Sequence, residues 1–302
     1  MTEQIEISFG DYAATVTSFG AAASALTYAG RPLIAGYDPA APAGLFRSAV
    51  LAPWPNRIDR GRYAFDGFRH QLEITDPDRQ AAIHGLVFDT DWSVDSHGES
   101  SVTLSTKLGP AAGYPFSVRA NLTYALDSRG LHIELTATNH GEAAAPYGCS
   151  IHPYLVAGPG HVDDWTLTLP TSRVLAVDPA TLVPTGEVID DRVDFSEGRR
   201  VGSCVIDRTF TDVRFDSRGA ASVAVTDADG FGAAMSWTSA CRWVQVFTGD
   251  VPGSAAHRTG LAVEPMTCPP NAFADGTGLI RLAPGSTNRT SWRLSAVLPG
   301  SA

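Results

Sequence analysis

Phe116-Ser117-Val118-Arg119-Ala120-Asn121-Leu122-Thr123-Tyr124-Ala125-Leu126 runs through Asp127-Ser128-Arg129-Gly130 into Leu131-His132-Ile133-Glu134-Leu135-Thr136-Ala137. On both sides of the Asp/Ser/Gly turn, every second position is apolar: Phe116 to Leu126 on one side, Leu131 to Ala137 on the other. Successive side chains of a strand point to opposite faces, so this period of two predicts a long β-hairpin with one buried face. Similar runs recur at Ile5–Phe9, Val102–Leu108, Trp165–Leu169, Val223–Thr226, Trp243–Phe247 and Trp292–Leu298. Turn signals such as Asp66-Gly67, Gly158-Pro159-Gly160, Asp229-Gly230 and Pro284-Gly285 punctuate the chain. No long amphipathic helix capped at both ends is visible, and no repeat of ~20–50 residues that propeller blades would leave. The expectation is an all-β chain: one large antiparallel β-sandwich forming a single domain over residues 1–302.

The bulk properties narrow the function. A net charge of -10, with lysine present only at Lys107, leaves no basic cluster to neutralise phosphates, so no nucleic-acid partner is expected. No apolar run approaches the ~18 residues that suggest a membrane span. The start, Met1-Thr2-Glu3-Gln4-Ile5-Glu6, has neither the basic nor the apolar region of a secretory signal. Cys149, Cys204, Cys241 and Cys268 lie far apart with no C-x-x-C pair, which speaks for free thiols and against zinc. The cytoplasm is the expected compartment.

Two segments carry residues suited to proton transfer. His152 sits in Cys149-Ser150-Ile151-His152-Pro153-Tyr154, where Pro153 forces the residue before it into an extended conformation. Glu264 stands at the end of the apolar run Leu261-Ala262-Val263, where a strand is expected to emerge into solvent, and precedes a stretch with three prolines, Pro265 to Pro270, which fixes the chain beyond the carboxylate. An imidazole and a carboxylate held in place are what general acid–base chemistry needs. A shared cleft should also raise the histidine's proton affinity and keep it protonated near neutrality. In Pro53-Trp54-Pro55-Asn56-Arg57-Ile58, two prolines hold an Asn-Arg pair able to donate hydrogen bonds to a polar ligand, and His84-Gly85 is a further candidate contact. Trp54, Tyr154 and Trp243 could stack on a ligand, but in an all-β chain they read as packing residues.

The order and wording of these pieces resemble the aldose 1-epimerase (mutarotase) family. The matching motifs are Pro-Asn-Arg-Ile (55–58), Ile-His-Gly-Leu (83–86), His-Pro-Tyr (152–154) and Ile-Asp-Arg-Thr-Phe (206–210). Val-Gln-Val-Phe-Thr-Gly (244–249) and the segment from Val263 to Phe273 complete the set, and Val16 to Ala21 looks like the family's opening strand. The resemblance implies a galactose mutarotase-like β-supersandwich and an enzyme, an isomerase of carbohydrate metabolism, acting on a small-molecule sugar without cofactor or metal. It makes Glu264 the base that takes the proton of the anomeric hydroxyl and His152 the acid that protonates the ring oxygen. Asn56, Arg57, His84, Asp207 and Gln245 fall where family members hold the sugar. The sequence departs from the best-known galactose mutarotases around His152 and Asp207, which makes Asp207 the least secure of these. Hexose-6-phosphate epimerases share His-Pro-Tyr, so an epimerase of a phosphorylated or sulfonated hexose is the alternative.

Three rival readings remain at this level. One is a non-catalytic carbohydrate-binding protein on the same fold. Another is a glycosidase with Asp207 and Glu264 as paired carboxylates. The third is a metal site built from His84, His152 and Glu264. Monomer and homodimer are both compatible with a sandwich whose edge strands are open to pairing.

Overall fold

The computed structural model describes residues 2–38, 44–190 and 193–300. The predicted hairpin forms its centre: strands Val118–Asp127 and Gly130–Asn139 pair antiparallel over their whole length. Asp127 pairs with Gly130, so the turn is two residues, Ser128 and Arg129, tighter than the four-residue turn read from the sequence. Gly130 is required there: its φ is +113°, and a Cβ would stand 2.2 Å from the Leu294 carbonyl oxygen of the neighbouring strand.

Around this hairpin grows a nine-stranded sheet. Ser93–His97 and Ser101–Lys107 extend it on one side. Thr287–Val297, Gly232–Thr238, Ala220–Thr226, Thr166–Thr168 and Arg199–Arg200 extend it on the other. A four-stranded sheet at the N-terminus (Gln4–Phe9, Tyr12–Thr17, Ala23–Tyr28, Arg31–Pro32) contacts the hairpin. The Tyr124 hydroxyl donates to the Ala21 carbonyl (2.7 Å), tying those two layers. A six-stranded sheet runs in the order Tyr154–Leu155, Leu261–Met266, Trp243–Phe247, Asp207–Thr211, Arg173–Val177 and Pro184–Asp190. The expected large antiparallel β-sandwich is what the chain forms; among the described residues the one α-helix is the single turn Ala272–Asp275. No helix among them is long and apolar enough to cross a membrane.

The alternation seen in the sequence is the packing pattern. Val118, Ala120, Leu122, Tyr124 and Leu126, with Leu131, Ile133, Leu135 and Ala137, are all buried in one contiguous core cluster. Full burial of each large aliphatic side chain contributes roughly 1.5–3 kcal/mol, which makes the register of this hairpin hard to slip. The central strands of the six-stranded sheet behave differently. Leu261–Met266 is buried at all six positions, so it lies covered on both faces and shows no alternation. Glu264 sits in the middle of that strand.

Candidate active site

Three adjacent strands of the six-stranded sheet supply one polar row. Glu264 is the register partner of Gln245, and Gln245 is the register partner of Thr209. Asp207 lies two residues before Thr209 and so on the same face. Three of its members are hydrogen-bonded: Thr209 Oγ1 donates to Gln245 Oε1 (2.6 Å), and Gln245 Nε2 donates to Asp207 Oδ1 (2.7 Å). The Asp207 carboxylate, which only accepts, sets which end of the Gln245 amide faces it, and the buried Thr209 hydroxyl satisfies the other end, a role with no mark in the sequence. Glu264 does not end its strand, as its position after an apolar run suggested. The strand continues through Pro265, whose carbonyl accepts from the Ser150 hydroxyl (2.8 Å) and the Trp292 indole (3.1 Å).

His152 occupies the kink between two short strands, Ser150–Ile151 and Tyr154–Leu155, which join different sheets. Its backbone is held on both sides: His152 N donates to the Ala49 carbonyl (3.0 Å) and accepts at its own carbonyl from Ser48 N (2.9 Å). Pro153 carries the chain onward, and its carbonyl accepts from Val263 N (3.1 Å), the residue before Glu264. The result brings His152 Nε2 to 3.2 Å from Glu264 Oε1, with the two residues 5% and 2% exposed.

The Pro-Asn-Arg loop meets them from a third direction. Asn56 takes a left-handed φ of +55° and Arg57 starts a strand paired with Ala81–Ile83. Asn56 and His84 are locked reciprocally: His84 N donates to the Asn56 carbonyl (3.0 Å) and Asn56 N donates to His84 Nδ1 (3.3 Å). Arg57 Nε donates to Asp76 (2.8 Å), a partner the sequence did not announce. All seven expected residues, Asn56, Arg57, His84, His152, Asp207, Gln245 and Glu264, line one cavity of about 190 Å³. Through Asn56, Arg57, Asp207 and Gln245 it opens into a wider cleft of about 340 Å³. Trp54 packs with Ile58, Tyr63 and Phe273 behind the loop, as a packing residue should. Tyr154 is different: it lines the cavity with its ring 5.2 Å from that of His152, so the sequence reading undervalued it.

The chain belongs to the aldose 1-epimerase family. Residues 3–295 match that family's sequence profile. Escherichia coli (strain K12) YihR, described as uncharacterized, is 36% identical over 289 residues, covering 95% of this chain and 91% of its own. The crystal structure of a Caenorhabditis elegans GalM/aldose epimerase homologue superposes with a TM-score of 0.84 at 20% identity, covering 99% of this chain and 100% of that one. A galactose mutarotase-like protein from Clostridium acetobutylicum gives a TM-score of 0.83 at 16% identity, with 98% of each chain covered. These two structures share the fold, a galactose mutarotase-like β-sandwich.

The electrostatics of the epimerase-family site correct one expectation. Proximity to Glu264 was expected to keep His152 protonated near neutrality. Burial wins instead, pushing His152 down to about 4. Burial, reinforced by the charge of Asp207, pushes Glu264 well above the usual carboxylate range. Imidazolium–carboxylate and imidazole–carboxylic acid hold the same number of protons, so the two forms differ only in where one proton sits along the 3.2 Å contact. Burial of both groups favours the uncharged form. His152 Nδ1 and Glu264 Oε2 are buried without a protein partner, an uncommon state for polar atoms.

His84 is also held neutral, chiefly by burial, with the Arg57 guanidinium acting in the same direction. Because its Nδ1 accepts from Asn56 N, the ring proton of the neutral form is on Nε2. That tautomer bears on a metal. His84, His152 and Glu264 offer ligand atoms within 4.8 Å of one another. A ligating imidazole, however, gives a lone pair to the ion and donates from its other nitrogen to an acceptor. Here His84 Nδ1 faces a donor and Nε2 carries the proton, so the trio lacks its third lone pair. The same Nε2–H suits a sugar oxygen.

Proposed function

We propose that this chain is an aldose 1-epimerase interconverting the α and β anomers of a free hexose. The observation that carries the reading is the buried His152–Glu264 pair, in contact at 3.2 Å and facing a small polar cavity. Ring opening requires a proton to leave the anomeric hydroxyl and another to reach the ring oxygen. Both oxygens are bonded to the same carbon, so an acid and a base side by side serve them. Glu264 as carboxylate takes the hydroxyl proton while His152 as imidazolium protonates the ring oxygen. The hemiacetal opens to the aldehyde, the C1–C2 bond rotates, and closure on the other face returns both protons. The active ionic form arises from the resting neutral pair by one short internal proton shift, with no exchange with solvent.

Asn56, Arg57, His84, Asp207 and Gln245 are assigned to binding the ring oxygen and hydroxyls. A neutral sugar is favoured over a phosphorylated or sulfonated one, because Arg57 is already engaged by Asp76 and Asp207 adds a carboxylate to the same wall. The contact between His152 and Glu264 also speaks against a glycosidase with Asp207 and Glu264 as its pair, in which the histidine has no part. Exchange spectroscopy at anomeric equilibrium tests the assignment. Glucose or galactose should show protein-dependent exchange between α and β signals, stronger than hexose 6-phosphate or a 6-sulfonated hexose. Exchange confined to an anionic sugar would overturn the neutral assignment.

The pH dependence follows from the pair. Its net charge is unchanged while one proton is shared, so kcat/KM should stay level as pH falls through 6.5 and decline only towards about 4, where His152 gains a second proton. A half-maximal point at the ordinary histidine value of ~6.5 would show instead that His152 titrates independently of Glu264.

A further inference from the structure

The segment Gly44 to Ala49 belongs to no sheet and has no sequence periodicity, yet its backbone is unusual. Leu45, Phe46 and Ser48 have φ of 63°, 55° and 56°, the left-handed region that non-glycine residues avoid. Three such residues within four persist only where surrounding contacts hold them. Ser48 N donates to the His152 carbonyl, His152 N donates to the Ala49 carbonyl, and the Tyr154 hydroxyl donates to the Leu45 carbonyl (3.0 Å). The loop is therefore stitched to the histidine strand from both ends. What the strained backbone delivers is the Phe46 ring. It stands edge-on to His84 (centroids 4.6 Å apart), stacks near His152 (6.3 Å) and is braced from behind by Phe88 (5.1 Å).

We propose that Phe46 is a positioning residue for the proton transfer: its ring wedges against His84 and His152, fixes both imidazoles and closes them off from water. The inference rests on the acid–base reading of His152 given above. The other groups facing His152 are accounted for. Glu264 lies 3.2 Å away on its strand, His84 stands edge-on at 5.4 Å, and Tyr154 stacks at 5.2 Å with the Arg47 guanidinium 6.0 Å above the tyrosine ring. Asp207 and Arg57 act on the pair through Glu264. Among these groups Phe46 is the one with no polar side-chain atom, and like His84 it is held at a left-handed backbone angle. A ring kept there at such cost to the chain acts on the imidazoles it touches.

The test uses the full-length protein with isotope-labelled histidine, the His152 signal being the one lost in His152→Asn. At about pH 5.5 the wild-type ring should be neutral. In Phe46→Ala it should carry the charge, its midpoint having moved from about 4 towards 6.5. In parallel, kcat for mutarotation should fall about 10- to 100-fold, with KM changed less, as expected for lost alignment. Phe46→Tyr should restore both readouts. Phe46→Leu, which keeps an apolar side chain in the loop and so protects folding, should give intermediate values of both. An unmoved His152 midpoint in Phe46→Ala and Phe46→Leu would overturn the proposal, whatever happens to kcat. The histidine titration needs no turnover, so a protein without epimerase activity would defeat the functional assignment and leave this measurement readable.

Discussion

Glu264→Gln should lower kcat for mutarotation by roughly 10²–10⁴-fold, the contribution of a positioned general base, while leaving the fold intact. The amide has the shape of the carboxyl group but cannot accept the anomeric proton. Stability should move the other way. Burial holds the folded-state proton affinity of Glu264 well above its ordinary value of 4.5. For a group shifted in that direction, the stabilisation is fully present below the unfolded pKa. It is lost as pH rises towards the folded one, because the unfolded chain gains by ionising. Glutamine has nothing to ionise. The variant should therefore melt at the same temperature as the wild type or higher at neutral pH, and the advantage should vanish near pH 4. A variant that loses both activity and melting temperature at neutral pH would mean Glu264 holds the structure together and is not a sacrifice made for chemistry.

Gly85→Ala should be among the most damaging single-methyl changes in the chain. Gly85 has φ +82°, directly after His84 at +63°, and a Cβ there would lie 2.0 Å from the Ala52 carbonyl oxygen. That oxygen is not free to retreat: Ala52 is fully buried, bridges to Gly85 and accepts from Leu86 N (2.8 Å). The clash, added to the unfavourable backbone conformation, should cost about 3 kcal/mol or more. Relief would come by pushing the His84 turn away from Asn56, which breaks the lock that sets the His84 tautomer. Urea unfolding should show the loss of stability, and kcat/KM should fall even where the variant remains folded. Wild-type unfolding would mean that the turn is more pliant than its packing indicates.

How much of this was readable in the sequence depends on which physical signal each element carries. The long hairpin announced itself because one face is in the core and the other is not, and Trp243–Phe247 was read to its end residues. Other strands were found but cut short, as with Trp292–Leu298 against the observed Thr287–Val297, whose polar first half gives no apolar cue. Pro184–Asp190 was not anticipated, since an edge strand with almost every residue exposed has no alternation to show. Glu264 was legible as a residue but not in its setting. A strand covered on both faces reads as a plain apolar run, and its end in sequence looked like its end in space. The site residues were found through motifs; Thr209 lay inside one of them without a role and Asp76 and Phe46 lay outside, because what marks these three is a contact made in space or a backbone angle. The direction of the histidine's shift was misread for a related reason: spacing suggests who the neighbours are, but only packing tells how dry the pair is.

The central claim is that His152 and Glu264 together open and close a sugar hemiacetal. Polarimetry of freshly dissolved α-glucose and α-galactose tests it most directly. The protein should speed the drift of optical rotation to the same end value that buffer alone reaches, and Glu264→Gln and His152→Asn should each return the rate close to that of buffer. An end value displaced from equilibrium, an unaccelerated drift with every aldose tried, or full activity in either variant would contradict the account.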